Sequence, residues 1–177
     1  MMNRKTIWLL CAVLLIAGCG SSQSAKINEA ARKEAQTAEN EAVKAYTRAV
    51  ESVSLENRYG VEMATTMGEW KTNKAKFAAA AEDYDTARVK FALASTKMRE
   101  AMNGQASFDN KEAGSLGRSS EAFKLWSEMA EFERKTCQDW SEAKNPKAIQ
   151  DNLDVALKAR KQMNGEVMSM IRSANSI

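Results

Sequence analysis

Large apolar residues recur every seven positions through the middle of the chain, from Trp70 to Met98. Alanines recur in step with them, so the spacing alternates between three and four residues. The members of this seam are Trp70, Phe77, Ala80, Tyr84, Ala87, Phe91, Ala94 and Met98. The spacing is typical of a helix packed lengthwise on other helices, because it places every member on one face. We therefore predict a helix over 61–102 that ends at Asn103 and Gly104.

A stripe of alanines precedes this helix at the same alternating spacing. Its members are Ala31, Ala35, Ala38, Ala42, Ala45 and Ala49. Small residues let two helix axes approach closely, so we expect this stripe to lie against the aromatic residues of the seam. Val43 and Tyr46 flank the stripe and favour packing over a solvated helix. The pattern predicts a first helix over 25–58, followed by a turn capped by Gly60.

Two further helices follow the seam. Residues 105–117 are predicted to be the longest loop, because they include Gly114 and Gly117 among small polar residues. A broad apolar face predicts a third helix over 119–144, and the pair Asn145 and Pro146 is a stop and restart signal before a fourth. The predicted fold is all-α: an antiparallel four-helix bundle with a long N-terminal helical hairpin, its first two helices longer than the last two.

Composition narrows the chemistry that this bundle can perform. The chain has no histidine, which excludes Ser/His/Asp and Cys/His catalysis and zinc or haem held by histidine. Lys and Arg number 26 against 23 Asp and Glu, and no single helix gathers a basic patch, so nucleic-acid binding is not expected. Phosphate loops and zinc cysteine spacings do not occur. We expect no enzymatic activity, no metal and no cofactor.

The N-terminus has the features of a targeting signal. Basic residues at positions 4 and 5 precede an apolar run over 7–17, which at about eleven residues is too short to span a membrane. The run ends in Ile16, Ala17, Gly18 and Cys19. This ending resembles the lipobox of bacterial lipoproteins. The resemblance implies cleavage before Cys19 and acyl chains, palmitate among them, on that cysteine, which would anchor the protein stably to a membrane.

With this targeting signal, the chain is predicted to have three parts: a lipoprotein signal peptide over 1–18, an acylated cysteine with a short tether over 19–24, and a helical bundle domain over 25–177. In the lipoprotein family an aspartate after the cysteine tends to retain the protein in the inner membrane, and this chain has Gly20 there. The resemblance therefore implies an anchor in the outer membrane of the cell envelope. It leaves open whether the domain faces the periplasm or the cell exterior, and we expect the periplasm.

A few charged residues and one cysteine interrupt the apolar stripes. Lys74, Arg88 and Arg160 lie on or beside them, and Glu133 lies on the third helix. They could form an interhelical charge pair that fixes the register, but we favour charged heads that reach water while their stems lie along the core. Cys137 lies on an apolar stripe, which favours a buried small hydrophobe over a reactive thiol.

Three functions are compatible with these features. The leading hypothesis is a lipid-anchored structural or protein-interaction module of the cell envelope that holds a protein partner. The alternative is a sensory or ligand-binding bundle, with a small apolar molecule along the aromatic line of Trp70, Phe77, Tyr84 and Phe91. The third is self-association through exposed helix faces.

Overall fold

The computed structural model describes residues 27–53, 67–102, 111–144 and 158–169. Throughout these four stretches the chain is helical apart from a few residues at helix ends, and they contain no strand. The signal peptide, Cys19, the tether and the turn at Gly60 lie outside the described residues. The protein is thus all-helical, as the spacing predicts.

Three long helices and one shorter helical segment make up the described chain. Helix α1 spans Glu29–Ser52, α2 spans Met67–Ala101 and α3 spans Lys111–Glu142. Residues 158–169 are also helical and are called α4. Helix α3 has 32 residues and α1 only 24, so the predicted order of helix lengths is wrong for α1.

Helix α1 is shorter than predicted because of a cap at each end. The side chain of Asn28 accepts a hydrogen bond from the Ala31 backbone N–H at 3.2 Å, and so satisfies a donor that has no partner inside the helix. Asn28 therefore lies outside the helix, whereas the sequence analysis placed it inside. At the other end the backbone of Val53 leaves the helical conformation, and its N–H donates to the Ala49 carbonyl at 2.9 Å.

The third helix begins eight residues earlier than predicted. Gly114 and Gly117, assigned to a loop because of their weak helix propensity, lie inside α3. Their cost of about 1 kcal/mol each is offset by packing, since Ala113 just before them and Leu116 between them are buried. A Cβ at position 117 would lie 3.5 Å from the sulfur of Met102, so α3 passes close to the end of α2.

Burial follows the two alternating stripes. On α1 the alanines at 31, 35, 38, 42, 45 and 49 are all at most 4% exposed. On α2 the seam residues from Phe77 to Met98 are also at most 4% exposed. The rings of Tyr46 and Tyr84 meet edge to face with centroids 5.2 Å apart, and Tyr46 meets Trp126 of α3 at 5.5 Å. One apolar core therefore joins α1, α2 and α3.

Contacts between helices follow a regular order along the chain. From α1 to α2, Glu34 pairs with Lys97, Glu41 with Lys90 and Arg48 with Asp83, so partner numbers fall along α2 as they rise along α1. From α2 to α3, Arg99 pairs with Glu121, Arg88 with Glu131, and the ring of Phe77 meets that of Trp140. The start of α1 is also tied to the end of α2, because the Asn28 N–H donates to the Ala101 carbonyl at 3.0 Å.

Candidate functional site

The residues singled out from the sequence fall into two groups. Ile16, Ala17, Gly18 and Cys19 lie outside the described residues. Trp70 lies in α2, but its side chain is not among those that the structure describes. The other seam residues are buried in the core. These seam residues hold the helices together and present nothing to solvent.

A buried charge pair lies between α3 and α4. The Glu133 carboxylate is fully buried, and its Oε1 forms an ion pair with Nε of Arg160, which is 16% exposed. The sequence analysis favoured charged heads in water, and for this pair that interpretation is wrong. The reason is that the Glu133 side chain is 0% exposed, so the guanidinium group of Arg160 rather than water compensates its charge.

The charge pair lies beside two other reactive groups, Tyr84 and Cys137. Burial raises the pKa of the Tyr84 hydroxyl well above its ordinary value of 10, the negative charge of Glu133 adds to this rise, and Arg160 opposes it. Tyr84 therefore keeps its proton at neutral pH. Cys137 is 0% exposed, as a small core residue would be. Every member of the cluster but Arg160 is sealed from solvent.

A second buried carboxyl lies on α1. Glu39 is 8% exposed, and burial raises its pKa from 4.5 to about 7. No pattern in the sequence marks this carboxyl as buried, because Glu39 lies next to Ala38, just off the alanine stripe, and resembles the many exposed charged residues of that helix.

An open groove of about 530 Å³ lies between α2 and α3. It is lined by Asp85, Arg88, Ser127, Glu128, Glu131 and Arg134. Arg134 holds Glu131 by two hydrogen bonds at 2.8 and 2.9 Å and so lowers the pKa of that carboxyl. Arg88 is held by Asp85 at 2.9 Å. Because both guanidinium groups are already engaged by carboxylates of this chain, the groove offers little net charge to a charged ligand.

The solvent-facing side of α2 is the least polar exposed surface of the described helices. A second stripe of alternating spacing lies there, opposite the buried seam, and we call it the α2 outer face. Its members are Ala75, Ala79, Glu82, Thr86, Val89, Leu93, Thr96 and Glu100, and all are exposed. Val89 and Leu93 are 46% and 40% exposed and are the large hydrophobic residues that the described surface leaves most open.

The exposed positions of α3 show how unusual this face is. They are Lys124, Glu128, Lys135, Gln138, Asp139 and Glu142, every one charged or an amide. From Thr86 to Thr96 the exposed positions of α2, which include Ala92, carry no charge at all. This face is not among the predicted sites, because the larger residues of the seam dominate the pattern of α2, although the same alternation of three and four residues could have revealed it.

Other features of the described chain point to no further site. None of the described helices combines the length and the apolar character needed to cross a membrane. Within the same residues no group of three or more Cys, Asp or Glu is arranged to hold a metal ion. Comparison with protein-family models, curated proteins and solved structures found no match to this chain.

Proposed function

We propose that this protein is a lipid-anchored interaction module of the bacterial cell envelope, without enzymatic activity. Acyl chains on Cys19 would hold it in the outer membrane, and the helical domain would face the periplasm and bind a protein. The lipobox resemblance of residues 16–19 supports the anchor. The interaction role rests on one observation: the exposed positions of α2 from Thr86 to Thr96 carry no charge, and the charged side chains in that range, Arg88 and Lys90, are only partly exposed beside them.

The proposed architecture is an antiparallel four-helix bundle with a long N-terminal hairpin formed by α1 and α2. The falling order of partner numbers from α1 to α2, and again from α2 to α3, supports antiparallel neighbours. The pair of Glu133 and Arg160 supports α4 as the fourth member, packed on α3. Such a bundle would present α2 on its outside, over a length of about 50 Å.

An exposed apolar stretch has a cost that an interaction role explains. Contiguous apolar surface favours nonspecific association, so soluble domains usually place charges at the outward positions of their helices. The other described helices follow that rule, and α2 departs from it over three turns. A binding surface on α2 would explain why this helix alone departs from the rule.

The ligand-binding alternative has weaker support. The aromatic side chains that suggested it are engaged with rings of the same chain: Tyr84 meets Tyr46, Phe91 stacks on Trp126 with centroids 5.7 Å apart, and Phe77 meets Trp140. An apolar ligand along this line would have to displace those contacts. The alternative stays a prediction, and no observation favours it over the interaction role.

The anchor is tested by metabolic labelling with an alkyne analogue of palmitate in a bacterium with two membranes. We expect the full chain to take up the label and to sediment with outer membranes. The matched variant Cys19→Ala should lose both properties, whereas Cys137→Ala should keep both because that residue is buried in the helical domain. Label on the Cys19→Ala variant would contradict the proposal.

The interaction role is tested by placing a photo-crosslinking amino acid at Leu93 and, as a control, at Lys124 on α3. Both positions are exposed, so neither substitution should disturb the core. Irradiation of intact cells should yield a discrete protein adduct from position 93 and much less from position 124. Equal or absent adducts from the two positions would contradict a role for α2.

A further inference from the structure

The arrangement of residues on the α2 outer face indicates which molecule could bind there. The large apolar residues at its centre, Val89 and Leu93, are one turn apart and form a short patch. Two such patches cover each other fully only when a two-fold axis passes between them. We propose that the α2 outer face is the contact surface for a second copy of this chain, with the two α2 helices antiparallel. This inference rests on the proposed interaction role and names its partner.

In this arrangement each layer of the contact joins unlike residues from the two copies. Leu93 of one copy lies beside Val89 of the second copy, and Thr86 lies beside Thr96 of the second copy. Ala92 lies near the axis, where its small side chain lets the two helices approach closely. The apolar residues are thereby placed at the centre and the hydroxyl groups to either side of it.

The charges that border the patch match their counterparts only in this direction. Asp85 and Arg99 lie on one border and Asp83 and Lys97 on the other. Antiparallel pairing brings Asp85 next to Arg99 of the second copy and Asp83 next to Lys97 of the second copy, so four opposite-charge pairs form by symmetry. These side chains are between 25% and 54% exposed, and each already pairs with an oppositely charged residue of its own chain. A second copy would therefore extend existing ion pairs at the surface, which sets the direction of the two helices more than it adds to affinity.

Three contacts between like charges would arise by the same symmetry, and each includes a residue that already has an oppositely charged partner in its own chain. Lys90 would lie near Lys90 of the second copy, but each is paired with its own Glu41 at 2.5 Å. Glu82 would lie near Glu100 of the second copy, and Glu100 is paired with its own Lys97 at 2.7 Å. A parallel pair would instead set Glu82 against Glu82 and Glu100 against Glu100 and would match fewer opposite charges.

The contact is small. One helix face of this length buries on the order of 1,000 Å² in total, at the lower limit for a specific interface. We therefore expect a weak dimer in dilute solution. Confinement of anchored copies to one membrane raises their effective concentration and favours the dimer there.

Cysteine mapping in the full chain tests this geometry. Two differently tagged copies, one with Val89→Cys and one with Leu93→Cys, are expressed together and oxidised in isolated membranes. We expect the mixed disulfide to exceed either self-linked product and to exceed links from the control Lys124→Cys. Dominant self-linked products, or links no stronger than the control, would overturn the proposal.

A second measurement does not depend on disulfide formation. The purified full chain in detergent is analysed by sedimentation over a range of concentrations, with Leu93→Lys and the control Lys124→Leu. We expect Leu93→Lys to weaken the dimer about tenfold or more, because two lysines would meet the patch. A dimer unaffected by Leu93→Lys would overturn the proposal. Labelled, membrane-bound protein without the mixed disulfide would refute this inference alone, whereas the mixed disulfide in a chain that keeps Cys19 but takes up no palmitate label would refute the anchor alone.

Discussion

The buried pair of Glu133 and Arg160 provides the sharpest test of the packing described above. Glu133 is fully buried and Arg160 is 16% exposed, so the two residues are not equivalent when one of them is removed. Arg160→Met leaves a carboxylate sealed in the core, at a cost of about 3–5 kcal/mol. Glu133→Leu leaves a guanidinium with a path to water, and the cost should be smaller, about 1–3 kcal/mol.

The double variant separates a charge pair from two independent contacts. Replacing both residues by apolar side chains of similar size removes the buried charges together, and this is often neutral or stabilising. We therefore expect Glu133→Leu with Arg160→Met to be more stable than Arg160→Met alone, with a coupling free energy of about 2 kcal/mol or more.

The assay is urea unfolding at pH 7, followed by circular dichroism and tryptophan fluorescence. A surface pair provides the control: Arg48 and Asp83 are 58% and 27% exposed, so Arg48→Met should cost no more than about 1 kcal/mol. Two results would refute the reasoning. One is an Arg160→Met cost no larger than that of Arg48→Met, and the other is a double variant as unstable as the sum of the single ones.

Three further predictions concern single residues. Burial raises the pKa of Glu39 from 4.5 to about 7, so the folded state binds the proton of this carboxyl more tightly than the unfolded state does. The contribution of this group to the free energy of unfolding should be fully present below about pH 4.5 and should fall by about 3 kcal/mol as the pH rises from there through 7. Glu39→Gln should flatten that loss, measured as urea midpoints at pH 5 and pH 8, and an unchanged pH dependence would contradict this assignment. Cys137, at 0% exposure, should react with a thiol reagent only on unfolding, whereas a cysteine introduced by Leu93→Cys should react at once in the folded protein. Gly165→Ala should raise the free energy of unfolding by about 0.5–1 kcal/mol, since a Cβ there meets nothing within 4 Å inside α4, and any destabilisation would speak against the helix at that position.

Hydrophobic spacing was sufficient to indicate the buried faces of α1 and α2. Both stripes repeat over many turns, and the same residue spacing that defines them also decides which side chains face a neighbouring helix. Helix ends were harder to place. The start of α3 was misplaced because Gly114 and Gly117 are poor helix formers in isolation, whereas the burial of Leu116 between them decides the structure.

Burial of the two carboxyl groups could not be read from the sequence. Glu133 lies between apolar residues of α3, but its partner Arg160 is 27 positions further on, and only the docking of α4 brings the two together. For Glu39, burial is the cause of the raised pKa, and no charged partner contributes to it. The residues next to Glu39 in the sequence therefore do not mark it as buried. Tertiary packing, rather than local propensity, decides both positions.

The proposed anchor and the small size of the α2 outer face fit together in physical terms. A large apolar patch would associate with any protein encountered in solution, and a patch of two large side chains between threonines does so only weakly. Confinement near a membrane removes much of the translational freedom that association otherwise costs, so a weak contact is enough once both partners are held there. An outer face whose exposed positions lack charge over only three turns is therefore what such an anchored module requires. The exposed positions of α3 are all charged or amide, and they limit nonspecific association through the rest of the surface.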